Sequence, residues 1–264
     1  MSTVKSVTWF APEDGSDVSL ISRVVACAII CFLLSLLFWF AFSRLQYGWN
    51  WGAVWQYRQK FMQGWLVTVV ISAAALSLSL LISVFFACAR RSRLLLLRYL
   101  AILYVEGVRG TPLLVQILVF FYVVADAFGV SNRYAVGIIT LALFAGAYLS
   151  EIIRAGIESI SESQLESARA IGLTRFQTYR FVILPQVVRR ILPPLAGQFA
   201  SLIKDSSLLS IIAVSEFTLN AQEVNSYTFS TLESYLPLAV GYLLLTLPIS
   251  LFSRYLEQKY HYAT

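Results

Sequence analysis

Within the apolar run Leu195–Val214 four polar residues follow one another: Lys204, Asp205, Ser206 and Ser207. An ionisable group in a segment of lipid-spanning length is costly, and it usually faces a bundle interior or a wet cavity. Gln198, Ser201 and Asp205 share one helical stripe by their i, i+3, i+7 spacing. A buried cation and a buried anion could answer the two charges of a zwitterion such as an amino acid. The competing reading is a structural ion pair or a gate contact between helices of two subunits, because adjacent helical positions point about 100° apart. Gln116, just after the Gly110–Pro112 backbone break, is a second polar candidate.

Covalent chemistry has no such foothold. The sequence lacks a G-x-x-x-x-G-K-[ST] phosphate loop, so the chain is not expected to bind or split ATP by itself. It also lacks H-E-x-x-H, and the lone His261 near the C-terminus reads as a tail residue and leaves no Ser/His/Asp set. Cys27 and Cys31 are one helical turn apart, yet no histidine or carboxylate lies near them in sequence. With Cys88 they read as small apolar packing residues. No catalytic residue, metal or cofactor is expected, and any energy for work must come from a separate subunit.

The elements that would position these residues are membrane helices. Of 264 residues, 58% are hydrophobic and 13% charged, against about 25% charged in soluble domains. Apolar runs of helical rather than alternating pattern predict an all-α polytopic bundle and argue against a β-barrel. Six spans are expected: Val24–Phe42, Gly64–Ala89, a third running from the Gly110–Pro112 break to about Asp126, Tyr134–Ile153, Leu195–Val214 and Tyr235–Phe252. Leu94–Val105 is either interfacial or the start of a long tilted helix. Ser72, Ser77, Ser79 and Ser83, with Ala73–Ala75, suit close helix approach in lipid. The aromatic-rich stretch 43–63 suits a membrane surface, and Glu216–Glu233 reads as a polar outer segment in which Glu216 and Asn220 could meet an external partner.

Orientation follows from the basic residues. With the N-terminus inside, fifteen Lys and Arg fall on the inner side, four on the outer side, and Lys204 within a span. This bias fixes both termini and the long loop after the fourth span in the cytoplasm. The net charge of +6 thus reflects sidedness and not nucleic-acid binding.

That loop holds the segment Ser163–Pro185. Ser163 with Glu166 fits a capping box, so a helix is expected from about Gln164. Gly172 suits its C′ position, Thr174 with Gln177 repeats the box, and Pro185 is expected to stop the second helix. Arg189, Arg190, Pro193 and Pro194 would close the loop. Leu165, Ala168 and Ile171 make a small apolar face flanked by Glu166 and Arg169, the anchor spacing of a helix that docks in a groove.

Glu166, Ala168, Gly172, Leu184 and Pro185 also match the pattern E-A-A, three residues, Gly, nine residues, I-x-L-P, with Ser167 and Val182 departing from it. In this the chain resembles the membrane subunits of ABC importers. Arg109–Gln116, RGTPLLVQ, resembles the subgroup that imports polar amino acids and opines. The resemblance implies a five-helix permease core with one extra N-terminal transmembrane helix: 1–62 as tail, extra helix and external segment, 63–254 as permease domain, and 255–264 as cytoplasmic tail. It implies ATPase coupling through Leu165, Glu166, Ala168, Arg169, Gly172, Leu184 and Pro185. It also implies two ATPase subunits, a second permease subunit, an extracytoplasmic solute-binding protein and a polar amino acid cargo. The same fold with an opine, cystine or betaine as cargo, or an ATP-independent channel or secondary transporter, stands as the alternative.

Overall fold

One face of the longest helix sets the packing of this protein. A computed structural model describes residues 20–44 and 47–260; Lys5 and His261 lie outside them. The chain forms two units, Met1–Trp49 and Asn50–Thr264. In the first, α1 (Leu20–Ser43) is apolar around its whole circumference, as suits a helix surrounded by lipid.

The second unit begins with α2 (Trp51–Gln56) and α3 (Arg58–Ala89). The helix therefore starts six residues ahead of the expected span and runs unbroken through the 62/63 boundary. Gly64, Thr68, Ser72, Ala75, Ser79 and Ser83 form a buried stripe along α3 at steps of three and four. Leu66, Val70 and Leu81 on the other side are exposed. Without a hydrophobic force between helices in lipid, small residues let backbones approach and gain dispersion contact. Ser79 and Ser83 donate to Leu76 O and Leu80 O at 2.8 Å, so their hydroxyls are satisfied within the helix. Ser77, expected in the interface, is exposed on the far face and donates to Ala73 O instead. Cys27, Cys31 and Cys88 are likewise exposed rather than packed.

The stripe packs along α6 (Arg133–Glu158), whose Leu141, Ala142, Ala145, Gly146 and Leu149 are buried. Asn132 caps α6 by accepting from Tyr134 N and Ala135 N. Around this pair the core gathers Ile71, Ile117, Leu141, Leu202, Leu209 and Ile212.

The RGTPLLVQ stretch breaks a helix. α4 (Leu95–Arg109) and α5 (Leu113–Val119), which continues as a π-helix over Phe120–Ala125, are bent by 110°. Pro112 brings no N–H and keeps the preceding residue out of the helical region. The Gln116 side chain fills the gap: Nε2 donates to Val108 O at 2.7 Å, Thr111 Oγ1 at 2.8 Å and Thr111 O at 3.1 Å.

The fifth expected span differs most. α9 (Leu184–Asp205) starts eleven residues before Leu195 and continues as a 3₁₀ turn over Ser206–Ile212. Arg189, Arg190, Pro193 and Pro194 are thus helical and not a loop closure. Lys204 and Asp205 stand at the end of the α-helix rather than mid-span. Among the described residues four helices are long and apolar enough to cross a membrane, and the bent α4–α5 pair would make a fifth. α9, which carries Arg189, Arg190, Lys204 and Asp205, is not among them.

The segment Glu216–Glu233, expected to be polar and to lie outside, is largely helical and packs on α3 and on α11 (Thr231–Tyr260). α10 (Phe217–Thr228) is capped by Glu216, which is fully buried and accepts from Leu219 N at 2.8 Å, Thr218 N at 2.9 Å and Tyr242 Oη at 3.0 Å. Thr68 accepts from Phe217 N at 3.1 Å, locking α10 onto α3. Asn220 is buried and donates to Lys60 O at 2.9 Å. Buried Glu233, in α11, accepts from Asn50 N at 2.5 Å. Glu216 and Asn220 are therefore structural and not presented to a partner: a short helix laid on apolar neighbours needs its end amides satisfied from within. Glu216→Ala should destabilise the detergent-purified protein by about 1–2 kcal/mol, read as a lowered thermal midpoint, with Glu216→Gln losing less. An unchanged midpoint in Glu216→Ala would refute the assignment.

Candidate functional site

Between α6 and α9 the chain leaves the bundle as a polar arm. α6 ends at Glu158, and Arg190 of α9 donates to the Ser159 carbonyl at 2.5 Å and to its hydroxyl at 2.6 Å. Close by, a Cβ on Gly156 would lie 2.4 Å from Ile191 Cγ2, so only glycine lets α6 and α9 meet there.

The arm's first helix, α7, spans Glu162–Ala170 with Ser161 at its N-cap. The expected Ser163–Glu166 box does not form. The helix begins two residues earlier, and Ser163 Oγ instead lies 3.1 Å from Ser161 Oγ. The end of α7 follows expectation. Gly172 adopts φ +78°, Leu173 N donates to Ala168 O at 3.0 Å, and Gly172 N donates to Arg169 O at 3.0 Å. These two bonds make a Schellman motif, which satisfies the last carbonyls and reverses the chain.

α8 (Arg175–Gln177) begins with the second expected box: Gln177 N donates to Thr174 Oγ1, and Thr174 N donates to Gln177 Oε1 at 2.9 Å. Pro185 does not stop the helical path beyond it. Thr178–Ile183 widens to a π-helix and α9 continues from Leu184. The wider turn gives the ring room against the carbonyl four residues back. Gln186 Nε2 donates to Val182 O at 3.0 Å.

This geometry divides the expected coupling residues in two. Ala168 is only 4% exposed, and Leu165 packs on the Ile160, Ile183 and Val187 cluster. Both hold the arm together. Glu166, Arg169, Leu184 and Pro185 are exposed. Two large apolar side chains stand clear of the arm on either side of the Gly172 turn: Ile171 at 76% and Phe176 at 77% exposure. Motif spacing does not single out Phe176, although a phenylalanine between polar neighbours in a hydrophilic loop is the signal that could have found it. A cleft of about 390 Å³ at Ile171 is lined also by Gln164, Ser167, Val182 and Gln186, among others.

The polar candidates in the bundle lie elsewhere. Gln198, Ser201 and Asp205 are half-buried, Lys204 is exposed, and Ser206 is buried with its hydroxyl donating to Ile203 O at 2.7 Å. Among the described residues neither Lys204 nor Asp205 forms an ion pair. Gln116 has its amide nitrogen committed to the α4–α5 break. Gly172→Ala should disturb the arm alone, since a left-handed conformation costs an L-residue about 1 kcal/mol. Hydrogen exchange at the Leu173 amide should rise several-fold while the α3 and α6 amides stay protected.

Known proteins share this arrangement. Residues 79–262 match the family described as binding-protein-dependent transport system inner membrane component. The glutamine transport system permease protein GlnP of Escherichia coli K12 is 34% identical over 212 residues, covering 80% of this chain and 97% of that one. The L-cystine transport system permease protein TcyB of Bacillus subtilis is 37% identical over 194 residues, covering 73% and 82% respectively. A crystal structure of an amino acid ABC transporter with histidines superposes with a TM-score of 0.75 at 31% identity, over 81% of this chain and all of that one. With its helical bundle and polar arm matched over these lengths, the chain belongs to the binding-protein-dependent transport system inner membrane component family and is a permease subunit of an ABC importer.

Proposed function

We propose that this subunit moves polar amino acids into the cytoplasm, with ATPase subunits gripping its arm through Ile171 and Phe176. Hydrolysis of ATP belongs to those separate subunits. The observation that carries the coupling reading is the pair of exposed apolar side chains on a rigid turn. Fully burying a side chain of this size in a partner groove contributes about 1.5–3 kcal/mol. Glu166 and Arg169 stand exposed beside them to orient the contact. Leu165, Ala168 and Gly172 serve the same coupling by holding the arm's shape, with Leu184 and Pro185 exposed where α9 begins.

The sidedness of the basic residues supports an inner location for the arm and for both termini. Six crossings follow if the bent α4–α5 pair and α9 with its 3₁₀ extension each count as one, making five core helices and the added α1. The working unit is two permease subunits, two ATPases and an extracytoplasmic solute-binding protein. Gln198, Ser201, Lys204, Asp205 and Ser206 stand as the candidate cargo path, with Gln116 shaping the break nearby. The relatives named for glutamine support a polar amino acid cargo, and the relative named for L-cystine supports the cystine alternative.

Phe176→Asp combined with Ile171→Asp should abolish co-purification of the ATPase while membrane insertion is unchanged. Full recovery of the ATPase with that variant would overturn the docking reading. Thermal-shift screening of the cognate solute-binding protein should give its largest stabilisation with a polar amino acid. A response confined to an opine, cystine or a betaine would overturn the cargo.

A further inference from the structure

One carboxylate lies where three helices come together at the base of the arm. Glu151 is on α6, two turns before that helix ends and the arm begins. Arg90, the C-cap of α3, places Nη1 2.5 Å from Glu151 Oε2. Arg109, in the last turn of α4, places Nη1 3.9 Å from the same oxygen. Arg154, on the next turn of α6, pairs with the other oxygen and also with Glu158 at the helix end. Arg90 and Glu151 side chains are 16% and 19% exposed, so this pair is poorly screened by solvent.

The positions of these partners matter more than their number. Arg109 is the residue immediately before the Gly110–Pro112 break, where the helix axis turns by 110°. Its guanidinium also lies 5.4 Å from the centroid of the Tyr148 ring on α6. Arg90 reaches Glu106 of α4 at 3.9 Å as well. The end of α4 is thus held to α6 by charge and by an aromatic face, while the other end of the same α6 segment carries the arm through Glu158 and Ser159. A removed partner would leave three guanidinium groups crowded without their common anion.

We propose that Glu151 is a positioning residue that transmits displacement of the arm to the α4–α5 break. The inference rests on the arm being where the ATPase grips. A shift of α7 moves the end of α6, Glu151 carries Arg109 with it, and the break changes its angle. Coupling between distant sites requires such an element, biased from both ends. The hub gives the bundle one where a backbone already interrupted by Gly110 and Pro112 can yield.

The test uses the full complex with its ATPase in proteoliposomes, with Cys27, Cys31 and Cys88 replaced by serine and a single reporter at Val115→Cys, an exposed position on α5. Maleimide labelling is compared in the nucleotide-free and ATP–vanadate-trapped states. The parent should change its labelling rate on trapping by about 5-fold or more, the lower range of site-to-site coupling. Glu151→Gln should still hydrolyse ATP yet label at one rate in both states, and Glu151→Asp should regain part of the change. A full change in Glu151→Gln, or none in the parent, overturns the proposal. If Glu151→Gln does not assemble with the ATPase, Arg109→Gln decides, since it leaves the Arg90 and Arg154 pairs standing: loss of the change supports the proposal, and retention overturns it. Gly172→Pro separates the two readings. Retention of the change there shows that the arm is not the grip, whereas its loss there with retention in Glu151→Gln refutes Glu151 alone.

Discussion

A backbone carbonyl or amide deprived of water has to find its partner within the protein, and that constraint governs every irregularity in this bundle. The chain uses prolines at 112, 185, 193, 194, 237 and 248 inside or beside helices, and each removes a donor. The repairs are local and chemically distinct. Gln116 feeds its amide nitrogen to the carbonyls opened at Pro112. A π-turn and the Gln186 amide accommodate Pro185. Ser253 ties α11 to α9 by donating to the Pro193 carbonyl at 2.8 Å. Where a break is satisfied from within, as at Pro112, the helix can bend without exposing polar groups to lipid.

The same constraint explains why acidic residues sit at full burial. Glu216 and Glu233 accept backbone N–H groups at the starts of short helices that lie against the bundle. A carboxylate that takes several donors is a compact way to end a helix in a place water does not reach. These residues anchor α10 and α2 to the long helices, which makes that end of the bundle a packed cap rather than a set of loops.

At the arm's end, rigidity and yield are placed side by side. The Schellman turn, the Thr174–Gln177 box and the Ile160–Ile183–Val187 cluster fix the arm as one piece. Glu151 and its arginines then join that piece to the ends of α3 and α4. Charge pairs suit such a junction because they tolerate small changes of angle, whereas interdigitated apolar side chains do not.

Local rules sufficed for much of this molecule. Apolar runs and the scarcity of charge determined a helical membrane bundle, and the spacing of Thr174, Gln177 and Gly172 determined the arm's second cap and its turn, because capping and left-handed φ depend on a few neighbouring residues. What tertiary structure decided was which partner each side chain meets. Leu165 and Ala168 read as a docking face yet are spent inside the arm, leaving Ile171 and Phe176 outside, since amphipathic spacing does not say which neighbour covers a face. Pro185 reads as a stop and Pro193 and Pro194 as part of a loop closure, yet all three lie within a continuous helical path, with a π-turn directly ahead of Pro185. Tyr242, which donates to buried Glu216, and Arg90 and Arg109, which meet Glu151, lie far from those carboxylates in sequence, and only packing brings them within reach.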